Sequence, residues 1–119
     1  MFNRSTLINS IIINNNSEAT VTVVPKVKFM AEELRIDSDI LTGLLIKSIH
    51  VGGRLQNVGA PIPARMFSKG IEDPFLSLEL AMPDEEISIT FINNTCSTVH
   101  LTGAIYGRVF EQHETKCWR

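Results

Sequence analysis

The feature that most constrains this chain is a two-residue alternation of polar and apolar side chains along most of its length. Residues 19–24 and 26–29 both alternate in this way, and the first segment is rich in valine and threonine. Because successive side chains of a β-strand point to opposite faces, this period places the apolar residues on one buried face. The alternation predicts half-buried strands, and Pro25 between the two segments marks a strand end, a bulge or an exposed edge.

The same period continues in three later segments, residues 75–82, 87–91 and 99–109. In the first of these, three leucines and Met82 share one face, which predicts a strand. Gly103 and Gly107 interrupt the last segment, where we expect β-bulges or the close approach of another backbone.

Turn-forming clusters separate the alternating segments, at residues 14–17, 37–39, 52–53, 82–85 and 93–95. Several short strands at this spacing are typical of an antiparallel sandwich or barrel. A length of 119 residues matches one domain, so we expect a single β-sandwich domain over residues 1–119. Its clear strands would run from about residue 6 to residue 110, with a short arm at each end.

Two stretches do not follow the pattern. Residues 30–45 carry helix formers, and three of their leucines could share a helical stripe. The polar residues 37–39 interrupt that stripe and no capping box precedes it, so we interpret the stretch as two strands. Residues 56–73 form the longest irregular stretch, and loops of this length are usually functional or packed against a partner.

The composition argues against several classes of protein. Eleven Lys and Arg residues against thirteen Asp and Glu give a net charge of −2, with the signs interspersed, so we expect no nucleic-acid partner. The longest apolar runs fall far short of the roughly 20 residues that span a bilayer, so we expect no membrane contact. The N-terminus has no signal-peptide pattern, which predicts synthesis in a cytoplasm, and the two cysteines are expected to remain thiols.

Two cysteines and two histidines, a set that can bind zinc, occur as Cys96-x3-His100 and His113-x3-Cys117. A four-residue spacing brings two ligands to one ion on a helix, whereas along a strand it separates them by about 13 Å. His100 lies in a predicted strand, on the same face as Tyr106. We therefore interpret Cys96 as a semi-buried thiol and His100 as a surface histidine, and predict no metal and no cofactor.

The acidic residues occur as close neighbours, at residues 32–33, 37–39 and 84–86. Neighbouring carboxylates in turns or along a strand point to solvent, whereas catalytic pairs face each other across a cleft. The chain also has no Gly-x-Ser-x-Gly elbow and no Gly-x-Gly-x-x-Gly loop. These patterns predict that the protein is not an enzyme.

The order of five segments resembles a known family: VVPKVKF (residues 23–29), IKSIHVG (46–52), PIPARMF (61–67), AMPDEEISITFINN (81–94) and GAIYG (103–107). The likeness, over residues 20–109, is to small jelly-roll-like virion proteins of bacterial viruses, including capsid cement (decoration) proteins. It implies an all-β antiparallel sandwich, jelly-roll-like, of about eight strands. It also implies a symmetric homo-oligomer, commonly a trimer, that clamps neighbouring subunits of the major capsid protein in the virion and has no catalytic residues.

We therefore expect a capsid cement protein that works through its loops and termini. The candidate contact residues are Phe2, Arg4, Arg54, Arg65, Met66, Phe67 and Trp118. The first alternative is a sandwich that binds carbohydrate or a receptor in a phage tail or adhesion apparatus, which would need an exposed aromatic platform. The second is a cupin-type metal enzyme, but its three candidate ligands, His50, His100 and His113, sit in dissimilar contexts without a His-x-His pair.

Overall fold

The computed structural model describes residues 2–40, 42–56, 61–68 and 78–110, with the backbone alone for residues 2–9. This part of the chain forms eight strands and one short 3₁₀ helix. They are β1 (Phe2–Ile13), β2 (Ser17–Val23), β3 (Lys28–Ser38), β4 (Leu44–Val51), β5 (Arg54–Leu55), β6 (Ile62–Pro63), the 3₁₀ helix (Ala64–Phe67), β7 (Ile87–Asn93) and β8 (Val99–Phe110).

The strands form two sheets that pack face to face. One sheet has the order β1-β8-β3 and the other the order β2-β7-β4-β5, with β6 also pairing with β4. All of these strand pairs are antiparallel. The predicted antiparallel β-sandwich of about eight strands is therefore confirmed.

The winding of the chain is that of a jelly roll. The first strand pairs with the last, β1 with β8, and β2 pairs with β7 inside them, while the consecutive strands β4 and β5 form a hairpin in the middle of the chain. At the outer edge of β3, Phe29 and Ala81 exchange two backbone hydrogen bonds of 2.8 and 2.9 Å, so the segment around Ala81 occupies the fourth place in the first sheet. The chain thus folds back on itself as one long hairpin that rolls up into two sheets, as in double-sheet jelly rolls.

The core lies between the sheets and is built from the apolar positions of the alternating segments. Phe29 on one sheet and Phe91 on the other are its largest members, and both are almost completely buried. The other buried apolar residues of the described chain are Ile13, Val21, Ala31, Leu34, Ile36, Leu44, Ile46, Ile49, Val51, Ala64, Phe67, Ala81, Ile87, Ile89, Val99, Leu101, Ile105 and Val109. Burial of this area is the main favourable contribution to folding.

Residues 30–45 were the ambiguous stretch of the sequence, and their interpretation as two strands is confirmed. They contain the end of β3 and the start of β4, with Leu34 and Leu44 both buried. Gly43, with a φ of +86°, lies in the connection between the strands, in a backbone conformation that favours glycine.

Two predicted strands differ in the structure. The N-terminal arm was expected to extend to residue 5, but β1 already begins at Phe2, which pairs with Val109 of β8. The predicted strand 75–82, of which residues 78–82 are described, does not form over those residues, where only Ala81 makes an isolated bridge to Phe29. Ala81 is buried and Met82 is exposed, so Met82 does not lie on the buried face that the alternation predicted. The expected C-terminal arm, residues 111–119, lies outside the described residues.

Both glycines of β8 lie beside bulges, as the sequence predicted. Ile8 of β1 pairs with Gly103, and Ile11 pairs with Leu101. Residues 9 and 10 of β1 therefore stand opposite a single residue of β8, Thr102. At Gly107, β3 has an extra residue between Ala31 and Glu33. A Cβ atom on Gly107 would collide with the carbonyl oxygen of Met30, so the two backbones approach more closely here than a side chain allows.

We predict that Gly107→Ala destabilises the protein by about 2–3 kcal/mol, because the added methyl group would force the backbones of β3 and β8 apart. Urea unfolding would measure the loss. The matched control is Gly53→Ala, where no atom lies within 4 Å of the new Cβ atom and only the positive φ of +83° is strained, which costs about 1 kcal/mol. Equal losses in the two variants would contradict the close approach at Gly107.

Candidate interaction surface

The outward face of β8 is the basis of the candidate site. β8 lies between β1 and β3, and its alternate residues Val99, Leu101 and Ile105 point into the core. The residues between them face away from the core: His100 and Tyr106 stand at the two ends of a row whose middle holds Thr102 and Ala104. Because the side chains in the middle of the row are small, the surface is hollowed along β8.

This hollow, which we call the outer-face groove, has two adjoining parts. One part encloses about 550 Å³ and is lined by Glu33, Arg35, Ile36, Asp37, Thr102, Gly103, Ala104 and Tyr106. The other encloses about 500 Å³ and is lined by Ser10, Ile11, Ile12, Asp37, Ser38, Asp39, His100, Leu101 and Thr102. Asp37 and Thr102, which pair across β3 and β8, belong to both parts, so the groove is continuous.

The middle of the groove carries a surplus of negative charge. The Nε atom of Arg35 donates a hydrogen bond of 2.6 Å to Oε2 of Glu33, and this pair is close to neutral overall. A carboxylate oxygen of Asp39 accepts the backbone N–H of His100 at 3.1 Å, which lowers the pKa of Asp39 below its ordinary value. Asp37 and Asp39 add two more carboxylates, so the acidic residues of the lining outnumber its one arginine.

Each end of the groove carries one large exposed side chain with apolar surface. Ile12 is 62% exposed and pairs with His100 at one end, and Tyr106 is 40% exposed at the other end. A large exposed isoleucine and an exposed tyrosine on either side of an acidic centre form a surface that can contact both apolar and basic groups.

A second polar cluster lies at the turns that join β4 to β5 and precede β7. Arg54 donates to both carboxylate oxygens of Glu85, at 3.1 and 3.3 Å, and to Oε1 of Glu79 at 2.7 Å. Oε1 of Glu85 also accepts the backbone N–H of Met82 at 2.9 Å. The hydrogen bonds from Arg54 lower the pKa of Glu85 below its ordinary value. The same bidentate pair joins two turns that are about thirty residues apart in sequence.

The structure separates the contact residues that the sequence proposed. Arg65 and Met66 are exposed side by side on the 3₁₀ helix, with Met66 53% exposed. Phe67 on the same helix is only 7% exposed and packs in the core, so it is not presented to a partner. Arg54 binds carboxylates of its own chain. The structure does not bring these residues together into one surface.

The remaining three contact candidates are less fully described. Phe2 and Arg4 lie in β1, where they pair with Val109 and Gly107 of β8. Trp118 lies outside the described residues. The sequence did not lead us to predict the outer-face groove. Its signal was the pair His100 and Tyr106 on one face of the predicted strand, with the small residues Gly103 and Ala104 between them.

The possible zinc ligands are only partly described. Cys96 is exposed, not semi-buried as expected, because it lies in the turn between β7 and β8. His100 is exposed as predicted, while His113 and Cys117 lie outside the described residues. Within residues 2–40, 42–56, 61–68 and 78–110, no three His, Cys, Asp or Glu side chains cluster closely enough to hold a metal ion.

Comparisons with known proteins found no match. No family model, curated protein or solved structure matches the chain. The only helical segment in the described part of the chain is the four-residue 3₁₀ helix, far shorter than a helix that crosses a bilayer.

We predict that the Arg54–Glu85 pair makes stability depend on pH. Arg54 lowers the pKa of Glu85 in the folded state, so the pair stabilises the protein above the pKa of an unfolded glutamate, about 4.3. This stabilisation is lost as the pH falls through the lower pKa of the folded state. The difference in unfolding free energy between the wild type and Glu85→Gln should thus be largest near neutral pH and shrink in acid.

Urea unfolding over a series of pH values would measure this difference. Glu86→Gln removes a negative charge from the same turn and is the matched control. A difference between the wild type and Glu85→Gln that is constant with pH would contradict the role of the ion pair.

Proposed function

We propose that the protein is a structural component of a virus particle, a capsid cement protein of the virion. In this proposal it binds the major capsid protein as a symmetric homo-oligomer, a trimer, and it has no enzymatic activity. It is made in the cytoplasm of the infected host and acts through its surfaces, without a cofactor.

The observation that carries this proposal is the pairing order of the strands. β1 with β8, β2 with β7, Phe29 with Ala81, and β4 with β5 give the jelly-roll winding, an architecture used by viral capsid proteins and also by lectins and cupins. A fold of this kind does not by itself select one function. Among these functions, we favour the capsid role because of the resemblance to phage virion proteins that the sequence of residues 20–109 suggests.

The surface of the sandwich supports the same role. A cement protein must present contacts on a scaffold that keeps its shape, and the turns at both ends of this sandwich are tied by buried or ionic hydrogen bonds. At one end, the buried amide of Asn93 donates to the carbonyl oxygens of Ile13, Asn14 and Ser97. At the other end, Arg54 binds the carboxylate of Glu85. Several modest contacts from one rigid oligomer then add up through avidity.

The exposed faces also suit contact with other protein subunits. The outer face of the five-stranded sheet is polar, with the hydroxyl groups of Thr20 and Thr90 hydrogen bonded at 2.9 Å. The outer-face groove on the opposite sheet combines exposed apolar and acidic side chains. Protein interfaces commonly combine an apolar centre with polar, water-bridged surroundings, and closed oligomers present the same patch on every copy.

We predict that the purified protein is a trimer in solution and binds to shells of its virus at a fixed ratio to the capsid subunits. Light scattering behind size exclusion, with and without a chelator, would give the mass, and co-sedimentation with empty shells would give the ratio. The mass should not change with the chelator.

A monomer that does not bind shells would contradict the proposal and favour the alternative of a carbohydrate- or receptor-binding module. A mass that falls with the chelator would also contradict it, because the oligomer would then depend on a metal, for which Cys96, His100, His113 and Cys117 are the first residues to test.

A further inference from the structure

We propose that the outer edge of β1 pairs with β1 of a second copy, antiparallel across a two-fold axis, so that two three-stranded sheets join into one. The occupant of this edge is thus the same chain. The inference goes beyond the proposed function, because it does not depend on a capsid partner. A two-fold contact cannot join the three copies of a ring, so in the proposed assembly it links one trimer to the next.

β1 lies at an edge of its sheet, where a strand presents a row of unpaired backbone N–H and C=O groups. Within the described part of the chain, β1 pairs on one side alone, with β8. Its twelve residues include no proline and no lysine, and Arg4 is their only charged residue. Soluble proteins commonly protect exposed edges with such residues or with short strands, so β1 has few of the features that prevent pairing with another chain.

The other edges of the described sandwich are each covered, short or charged. The segment around Ala81 covers the edge of β3 through the two backbone hydrogen bonds with Phe29. The far edge of the five-stranded sheet consists of β5 and β6, which have two residues each. β2 has seven residues, and its Glu18 forms an ion pair with Lys47. β1 is therefore the longest open edge in the described part of the chain.

The backbone register of β1 selects one segment for the pairing. From Phe2 to Ile8, β1 pairs with β8 without a shift, and the bulge at residues 9 and 10 ends this regular run. The six residue steps of the run span about 20 Å at roughly 3.4 Å per residue. Because a bulge bends its strand and increases the local twist, we expect the second copy to pair with Phe2–Ile8.

A two-fold axis at Ser5 uses this whole run. The opposite residues of the two copies are then Ser5 with Ser5, Arg4 with Thr6, Asn3 with Leu7, and Phe2 with Ile8. Both members of every pair are even-numbered or both are odd-numbered, so each pair lies on one face of the joined sheet, as antiparallel pairing requires. An axis at Arg4 would place two like charges directly opposite each other, which is unfavourable.

A thiol cross-link at the proposed axis tests the pairing directly. In a background of Cys96→Ser and Cys117→Ser, Ser5→Cys would place two thiols opposite each other, with Cβ atoms about 5 Å apart. A short bifunctional maleimide should then join the chains in pairs, seen as a doubled mass on a denaturing gel. Thr98→Cys is the matched control and should not cross-link, because Thr98 is exposed and lies far along the chain from Tyr106, the partner of Ser5 in β8.

Charge at the same position tests the symmetry of the contact. Ser5→Lys and Ser5→Asp should each place like charges opposite each other and raise the dissociation constant of the pairing about tenfold. An equimolar mixture of the two variants should restore the association, because lysine then faces aspartate, whereas Thr98→Lys should behave as the wild type. Sedimentation equilibrium over a concentration series would measure the association, and circular dichroism would verify that each variant folds.

Two results would overturn the inference. A Ser5→Cys protein that cross-links no more than the Thr98→Cys control would show that the edge of β1 is covered or unused. A mixture of Ser5→Lys and Ser5→Asp that associates no better than either alone would show that no two-fold axis lies at Ser5.

The proposed function fails in a different way. Trimers that do not cross-link at residue 5 would overturn the edge pairing and leave the cement function standing. A wild-type protein that forms only dimers, and cross-links at residue 5 in the Ser5→Cys variant, would support the edge pairing and contradict the proposed trimer.

Discussion

The structure depends most on the pairing of β8 with two strands that are far from it in sequence. β1 and β3 both bind β8 along almost its whole length, so the last described strand becomes the centre of its sheet. One side of β8 then supplies Leu101 and Ile105 to the core, and the other side forms the floor of the outer-face groove. The close approach at Gly107 is the local condition for this arrangement, because a side chain there would separate β8 from Met30 of β3. Core and groove are thus two consequences of one pairing.

Much of the fold could be predicted from the sequence, because alternation and turn chemistry are local. The alternation identified the core positions of β7 and β8, and Gly103 and Gly107 indicated bulges where the register does shift. What the sequence could not give is which distant segments meet. The burial of Phe67 and the ion pair between Arg54 and Glu85 both depend on contacts between turns or strands far apart in the chain. The groove escaped prediction for the same reason, since its walls come from three strands whose register only the folded chain defines.

The two ends of the sandwich and its outer face have different roles in this account. Asn93 and Arg54 hold the turns at opposite ends of the sandwich through hydrogen bonds within the chain. The outer-face groove is instead an open surface that combines acidic side chains with the exposed apolar surface of Ile12 and Tyr106. The proposed assembly would use this surface, because every copy in a symmetric oligomer presents the same patch.

The groove and the proposed function both depend on the rolled pairing order of the strands. Nuclear Overhauser effects between backbone protons of opposing strands test it most directly. We expect contacts between β1 and β8, between β2 and β7, between Phe29 and Ala81, and between β3 and β8. Contacts that join each strand to the next one along the chain, such as β1 with β2 and β3 with β4 as ladder neighbours, would show a simple meander and contradict the account.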